Sequence, residues 1–271
     1  MPIEEEMFAG RYGPWALITG GSDGLGAAFA EEIARRGINL VLVARRQGPL
    51  DKIAKQMRDR HGVQVRTISL DLSAGDAVQQ LGDATRDLDL GLVVFNAGAD
   101  SSGERFLDLA HEARTMLIQR NIVFLTEALH LFGTRLRSAG RGGLVVVGSE
   151  AAFGGGARGA LYTATKGYAL NLCESLWAEL KPCGVDVLTL LFRIADTPTL
   201  REALARRNIP VEATGAVAPE RLAQETIQAL PDGPAFNFDD DGAGSALTDP
   251  DRRRARVLVV TAQLEGFYGT D

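Results

Sequence analysis

The chain has little of what builds disulfide frameworks, metal centres or membrane anchors. Of its 271 residues only two are cysteine and three are histidine. Cys173 and Cys183 lie ten residues apart across a predicted helix end, a placement that suits reduced thiols rather than a disulfide framework. His61, His111 and His130 are scattered, and without a cysteine–histidine cluster no metal is expected. No apolar run approaches the roughly twenty residues of a membrane span. The opening Met1-Pro-Ile-Glu-Glu-Glu6 is acidic and lacks the apolar stretch of a secretory leader, so a cytoplasmic protein is expected. Cations are not in excess either. Against 29 Lys and Arg stand 35 Asp and Glu, a net charge of −6 that argues against nucleic-acid binding. The basic run Arg252-Arg-Arg254 sits beside Asp249 and Asp251 and reads as a solvated helix end.

What the chain does have is alternation. Apolar runs at 15–19, 39–44, 64–70, 91–95, 143–148 and 186–192 are separated by amphipathic stretches near 25–36, 48–60, 74–86, 105–137 and 159–180. This pattern predicts βαβ units: a doubly wound α/β fold whose parallel sheet of about seven strands carries helices on both faces. Right-handed crossovers bring the carboxyl ends of the strands to one edge. Beyond 192 the pattern predicts helices over 197–207 and 219–230, an edge strand over Pro234–Phe238 and a C-terminal helix over 249–265. Val257-Leu-Val-Val260 also suits a strand. No repeat or linker interrupts the chain, so one domain over 1–271 is expected, with its core at about 12–240 and an extension over 241–271.

Two motifs carry chemistry. The first follows the predicted strand Trp15-Ala-Leu-Ile-Thr19 at once: Gly20-Gly-Ser22-Asp23-Gly24-Leu25-Gly26, then a helical stretch with Leu25, Phe29 and Ile33 on one face. Strand, glycine turn and helix form the context in which glycines let the backbone approach a pyrophosphate. The helix N-terminus then offers the anion unpaired N–H groups and a positive dipole end. Alone, such a loop is also an ordinary strand-to-helix turn. The second motif is Tyr162-Thr-Ala-Thr-Lys166, with Ser149 thirteen residues before the tyrosine at the end of the apolar run Leu144–Val147. On a helix, positions i and i+4 share a face, so the ammonium can sit one turn beyond the phenol. A cation there favours the phenolate and prepares the tyrosine to exchange a proton with an alcohol or carbonyl oxygen. Alone, a Tyr-x-x-x-Lys also arises by chance on a half-exposed helix.

Taken together and in order, these motifs resemble the short-chain dehydrogenase/reductase family of the single-domain type, over roughly residues 12 to 240. Thr19, Gly20, Gly24 and Gly26 match the family's cofactor loop, and Asn96-Ala97-Gly98 after Leu92–Phe95 matches its Asn-Ala-Gly turn. Asn121 falls where the family has its helix asparagine; Ser149, Tyr162 and Lys166 match its catalytic residues. The resemblance implies a Rossmann-like nucleotide fold and an NAD(P)-dependent oxidoreductase that interconverts a carbonyl and a secondary alcohol. It implies Tyr162 as general acid/base and Lys166 as a hold on the nicotinamide ribose. Ser149 would bond the substrate oxygen, and Asn121 would hold a water that links Lys166 to solvent. The resemblance also implies a homodimer or homotetramer built on the long helices, whose Leu172, Leu176 and Trp177 serve equally well as monomer core.

The end of the second strand bears on the cofactor. Ala44 offers no carboxylate for a ribose hydroxyl, and Arg45 offers a fork suited to a 2′-phosphate, so NADP(H) is preferred, with NAD(H) possible. Asp23 points the other way. Asp71 and Leu72 resemble the family's adenine contacts, Ser22 and Leu25 belong to the phosphate loop, and Ala195 and Thr197 stand where the family contacts the carboxamide.

One stretch departs from the family. Phe192 and Arg193 replace the usual Pro-Gly after the sixth strand. Two readings remain open: drift at a tolerant turn, or a cation aimed at the pocket or the cofactor phosphates. Glu150, Phe153, Arg193 and Leu200 are candidate substrate contacts, with Glu150 read as a solvent-facing carboxylate and Leu204 and Ile209 as further apolar lining. The segment 194–212 suits a closing lid. The substrate expected is a partly hydrophobic small molecule. Two other functions fit the same fold: a nucleotide-binding sensor or scaffold without turnover, and a relative that uses bound nucleotide for epimerisation or dehydration.

Overall fold

The computed structural model describes residues 3–98 and 103–238, together with Val259, Ala262 and Gly266. Among the described residues seven strands form the sheet, most of them rich in Val, Leu and Ile: β1 Trp15–Thr19, β2 Asn39–Ala44, β3 Val65–Ser69, β4 Leu90–Phe95, β5 Gly142–Val147, β6 Val185–Leu191 and β7 Ala235–Asn237. Their order is β3-β2-β1-β4-β5-β6-β7, and every pairing is parallel. This is the doubly wound Rossmann-like sheet that the alternation predicts. Parallel strands must be crossed by helices, so both faces are covered and the strands read as continuous apolar runs.

The pleat divides the core in two. Ile18, Leu42, Val94, Val145 and Leu188 point to one face, Leu17, Val41, Val93, Leu144 and Val187 to the other. The first face is covered by α2 (Gly24–Arg35), α3 (Gln47–His61) and α9 (Pro219–Ala229). The second is covered by α4 (Ala77–Ala84), α6 (Leu125–Ala139) and α7 (Ala160–Leu180). Leu172, Leu176 and Trp177 of α7 pack, partly buried, against this second core. The sheet order reverses between β1 and β4, which opens a crevice at their carboxyl ends.

Two stretches differ from the sequence pattern, the N-terminus and 105–137. The chain opens with α1 (Ile3–Tyr12), which the acidic first residues concealed. Its Tyr12 is buried, packs at a tilt of 47° against Phe8 with ring centroids 4.6 Å apart and donates a hydrogen bond to Asp186 Oδ2 at 2.6 Å. The stretch read as one helix over 105–137 begins only at α5 (His111–Ile118), because residues 105–109 close as a turn on the Arg105 carbonyl. A π-helical turn, Gln119–Phe124, then joins α5 to α6. The lid segment forms α8 (Pro198–Ala205), started by Thr197, whose Oγ1 accepts from Leu200 N at 3.2 Å. The C-terminal helix expected over 249–265 lies outside the described residues except at Val259 and Ala262, which are helical and exposed.

Candidate active site

The loop after β1 turns where only glycine turns easily. Gly20 and Gly24 have φ of +69° and +50°. Gly20 N and Gly21 N both donate to Val43 O, at 2.7 and 3.2 Å, which pins the turn to β2. Gly26 is required for a different reason. A Cβ there would overlap the Gly20 carbonyl oxygen and come within 2.7 Å of Asn96 Nδ2. The missing side chain therefore lets α2 start directly against the loop. Asp23 is the N-cap of α2, its Oδ1 accepting from Gly24 N at 2.7 Å.

The Asn-Ala-Gly turn locks onto this loop. Thr19 Oγ1 accepts from Asn96 N and Ala97 N at 3.1 and 3.3 Å, and Asn96 Nδ2 donates to Gly20 O at 3.3 Å. Asn96 thus ties the ends of β1 and β4 together. On the far side, Thr197 packs over the loop so closely that a Cβ on Gly24 would come within 2.9 Å of Thr197 Cγ2.

A cleft of about 1090 Å³ runs along these strand ends. Its lining includes Gly20, Ser22, Asp23, Gly24, Leu25, Arg45, Asp71, Leu72, Asn96, Ala97, Gly98, Tyr162, Lys166, Ala195 and Thr197. Gly26 is not among the lining residues; it packs against Gly20 and Asn96, which are. Asp71 accepts from Ser73 N and Ser73 Oγ at 2.9 and 2.7 Å; these bonds, more than the nearby Arg45 and Arg120, hold its carboxyl below the usual range. Sequence reasoning missed Met116 and Arg120, and it gave the segment 194–212 as lining without naming Thr199, Glu202, Ala203, Arg206 and Arg207. Those on α8 recur at helical spacing, the signal by which they are recognised. Arg120 is adjacent in sequence to Asn121.

At one end of the cleft Lys166 Nζ lies 5.5 Å from the centroid of the Tyr162 ring. The lysine is buried and donates to Val147 O at 2.8 Å. Burial, with a smaller contribution from the charge of Arg120, pushes its ammonium down to about 8. Asn121 sits in the π-helical turn with partners on other elements: Nδ2 donates to Gly98 O and Thr165 Oγ1, both at 3.2 Å, and Oδ1 accepts from Arg120 Nε at 3.1 Å. Behind Lys166, a second cavity of about 20 Å³ is lined by Arg120, Asn121, Thr165 and Lys166 among others. That volume suits one water molecule with polar partners. Ser149 caps the short turn Glu150–Phe153; its Oγ accepts from Ala151 N at 3.1 Å and lies 3.5 Å from Phe192 O.

The segment after Ser149 departs from the expectation. Glu150 is not solvent-facing: its side chain is 5% exposed, and Oε2 lies 3.8 Å from Arg193 Nε. Cations draw a carboxylate inward where polar solvation is lost, and Arg193 supplies one here. Phe153 is buried in a small cluster with Leu170 and Leu191 rather than on the cleft wall, because its turn packs against α7. Leu204 is likewise buried away from the cleft, whereas Arg193 and Leu200 line it. Cys173 and Cys183 are both free; burial pushes the Cys173 thiol up to about 12. Among the described residues no His, Cys, Asp and Glu cluster could hold a metal ion, and no helix is long and apolar enough to cross a membrane.

Comparison with known proteins covers most of the chain. The family model described as short chain dehydrogenase matches residues 14–208. A 7beta-hydroxysteroid dehydrogenase of Clostridium sardiniense is 28% identical over 223 residues, which cover 82% of this chain and 84% of that protein. A structure described for 7beta-hydroxysteroid dehydrogenase stereoselectivity superposes with a TM-score of 0.83 at 25% identity, covering 92% of this chain and 98% of that one. A short-chain dehydrogenase from Sphingobium yanoikuyae in complex with NADPH gives a TM-score of 0.77 at 30% identity, over 90% and 95% of the two chains.

Proposed function

This chain belongs to the short-chain dehydrogenase/reductase family, and from that premise we propose that it reduces a ketone on a hydrophobic molecule with NADPH, and oxidises the matching alcohol, with Tyr162 as the proton carrier. It is an NAD(P)H-dependent oxidoreductase acting on carbonyl and alcohol groups of small hydrophobic molecules. The observation that carries the residue roles is the shared end of the cleft, where Tyr162 and Lys166 lie 5.5 Å apart, ring to ammonium.

NADP(H) fits the residues present. The backbone of the loop after β1 leaves no room for a Cβ at Gly26, Ala44 at the end of β2 carries no carboxylate, and Arg45 beside it lines the cleft. A relative in complex with NADPH supports the same choice. When bound, the cofactor supplies the hydride. The loop from Gly20 to Leu25 would hold its pyrophosphate, Arg45 its 2′-phosphate, Leu72 and Asp71 the adenine side, and Ala195 and Thr197 the carboxamide.

The protein's own work is to place the substrate and manage one proton. In reduction, the Tyr162 hydroxyl gives its proton to the carbonyl oxygen as negative charge develops there. Lys166, tethered to Val147 O, stabilises the resulting phenolate. Ser149 donates to the same substrate oxygen, as an oxyanion donor. Asn121 and the cavity behind Lys166 return a proton from solvent. In oxidation each step reverses. Because the charge of Arg193 is balanced by Glu150, we assign it no anionic substrate group, and the ligand is read as neutral and partly apolar, with Leu200 against it.

We read residues 12–240 as one functional unit. Exposed Ile118 on α5 and Val123 in the π-helical turn support pairing into a homodimer or homotetramer. The free cysteines support a reducing, cytoplasmic setting. The test is NADPH oxidation with a panel of bulky apolar ketones, steroid ketones included. Turnover by the native chain, and none by Tyr162→Phe with its NADPH binding intact, is expected. Equal turnover by the two proteins would remove the assignment.

A further inference from the structure

Phe192 has no role in the account above. It is the first residue past β6 and it lines the cleft. Its backbone is joined to the end of β5: Phe192 O accepts from Glu150 N at 3.1 Å and lies 3.5 Å from Ser149 Oγ. Lys166 is tethered to that same strand end, at Val147 O. Phe192 therefore belongs to the Tyr162–Lys166 end of the cleft. Its side chain is half-buried and packs against the first core, to which Leu25 and Ala195 of the cleft lining also belong. Tyr162 and Lys166 come from α7, which covers the opposite face of the sheet. This end of the cleft thus has two unlike walls. One is apolar and carries a phenyl ring; the other carries a phenol and an ammonium. A flat ring laid on the first wall turns its other face towards the second.

We propose that Phe192 is the platform for the nicotinamide ring, and that its π face makes the site favour the oxidised ring over the reduced one. This rests on the reading of the cleft as an NADP(H) site with its nicotinamide end at Tyr162. Aromatic rings attract one another in offset or tilted stacks, and the negative face of a phenyl ring also attracts a cation. Oxidised nicotinamide is a cation; reduced nicotinamide is neutral. Lys166 and Arg193 line the same cleft, and both oppose a positive ring there. A phenyl face offsets them, whereas the proline that the family carries at this position offers no such face. The departure at Phe192 is then a change at the cofactor rather than drift at a tolerant turn.

The experiment measures by calorimetric titration the affinities for NADP+, NADPH and 2′,5′-ADP, which carries the adenosine and the 2′-phosphate but no nicotinamide. Phe192→Leu keeps an apolar side chain and removes the ring face. It is expected to weaken NADP+ by about tenfold, NADPH by about threefold and 2′,5′-ADP by less than about twofold. Phe192→Met, unbranched and readily accommodated, should give the same order. Phe192→Tyr keeps the face and should stay within about twofold of the native chain for all three. A merely structural role for Phe192 would weaken the three together. A parallel loss of 2′,5′-ADP, equal losses of NADP+ and NADPH, or no loss of NADP+ overturns the proposal. A native chain from which 2′,5′-ADP fails to displace NADPH would instead remove the NADP(H) reading itself, so the two failures are distinguishable.

Discussion

The fit between the phosphate loop and the first turn of α2 sets a measurable limit on Gly26. Gly26→Ala would drive a methyl group into the Gly20 carbonyl oxygen and within 2.7 Å of both the Gly20 carbonyl carbon and Asn96 Nδ2. Two of these atoms are backbone held by β1, and Asn96 is held by its bond to Gly20 O, so no flexible side chain can yield. The helix must withdraw from the loop. Overpacking of this kind costs about 1–3 kcal/mol. For a chain of this size each kcal/mol lowers the melting temperature by about 2–4 °C, so a fall of about 2–12 °C is expected. The same withdrawal shifts the N–H groups that would face the pyrophosphate, and NADPH affinity should drop by about tenfold or more. The assays are thermal melting and a fluorescence titration with NADPH. Gly48→Ala is the matched control: it lies in α3, has no atom within 4 Å of the added Cβ and needs no left-handed backbone, so it should melt at or slightly above the native temperature. If Gly26→Ala matched that control in both melting and affinity, the close-approach argument would fail.

Three further outcomes are expected. Arg45→Ala should weaken NADPH binding by about ten- to a hundredfold, the worth of a charge-assisted phosphate contact, and leave NADH binding nearly unchanged; a parallel loss of both would remove Arg45 from the 2′-phosphate. Lys166 should make stability pH-dependent in a defined window. Below about 8 folded and unfolded chains both carry its proton and the burial cost is full; between there and the unfolded value of 10.5 the unfolded chain binds more protons, so stability rises with pH. Melting of the native protein relative to Lys166→Met should therefore improve from neutral to alkaline pH, by up to about 3 kcal/mol, and a constant difference would contradict the burial of the ammonium. Asp186, buried and bonded to Tyr12 at 2.6 Å, Arg11 at 2.6 Å and Lys181 at 3.1 Å, sits at the end of the sheet remote from the cleft. Asp186→Ala should destabilise by about 1–3 kcal/mol, chiefly because the buried Tyr12 hydroxyl loses its acceptor while the half-exposed Arg11 and Lys181 turn to water, read by denaturant melting, while kcat of the folded fraction is unchanged.

Much of this molecule was legible because its demands are local. A buried parallel strand must be apolar throughout, and a loop that turns through positive φ at Gly20 and Gly24 must use glycine, so both leave marks in the sequence. The pair Tyr162 and Lys166 stood out only because its helical spacing came with the glycine loop, the Asn-Ala-Gly turn and Ser149 in the same order along the chain. What was not legible depends on partners far along the chain. Glu150 looked like a surface carboxylate until Arg193, 43 residues on, was placed beside it. Phe153 looked like pocket lining, but α7 and β6 close on it first. Helix α1 was hidden because its anchor is the buried Asp186, at the start of β6. The π-helical turn has no propensity signal at all; it is set by Asn121 reaching across to Gly98 and Thr165.

The most direct measurement follows a labelled hydride. With NADPH carrying deuterium on its transferable C4 position and a neutral ketone that the native chain consumes, mass spectrometry should find one deuterium on the new carbinol carbon. Tyr162→Phe, saturated with the same cofactor, should yield essentially none. A Tyr162→Phe protein that delivers the label at the native rate, or a native chain that binds NADPH and transfers it to no ketone in the panel, would contradict the account.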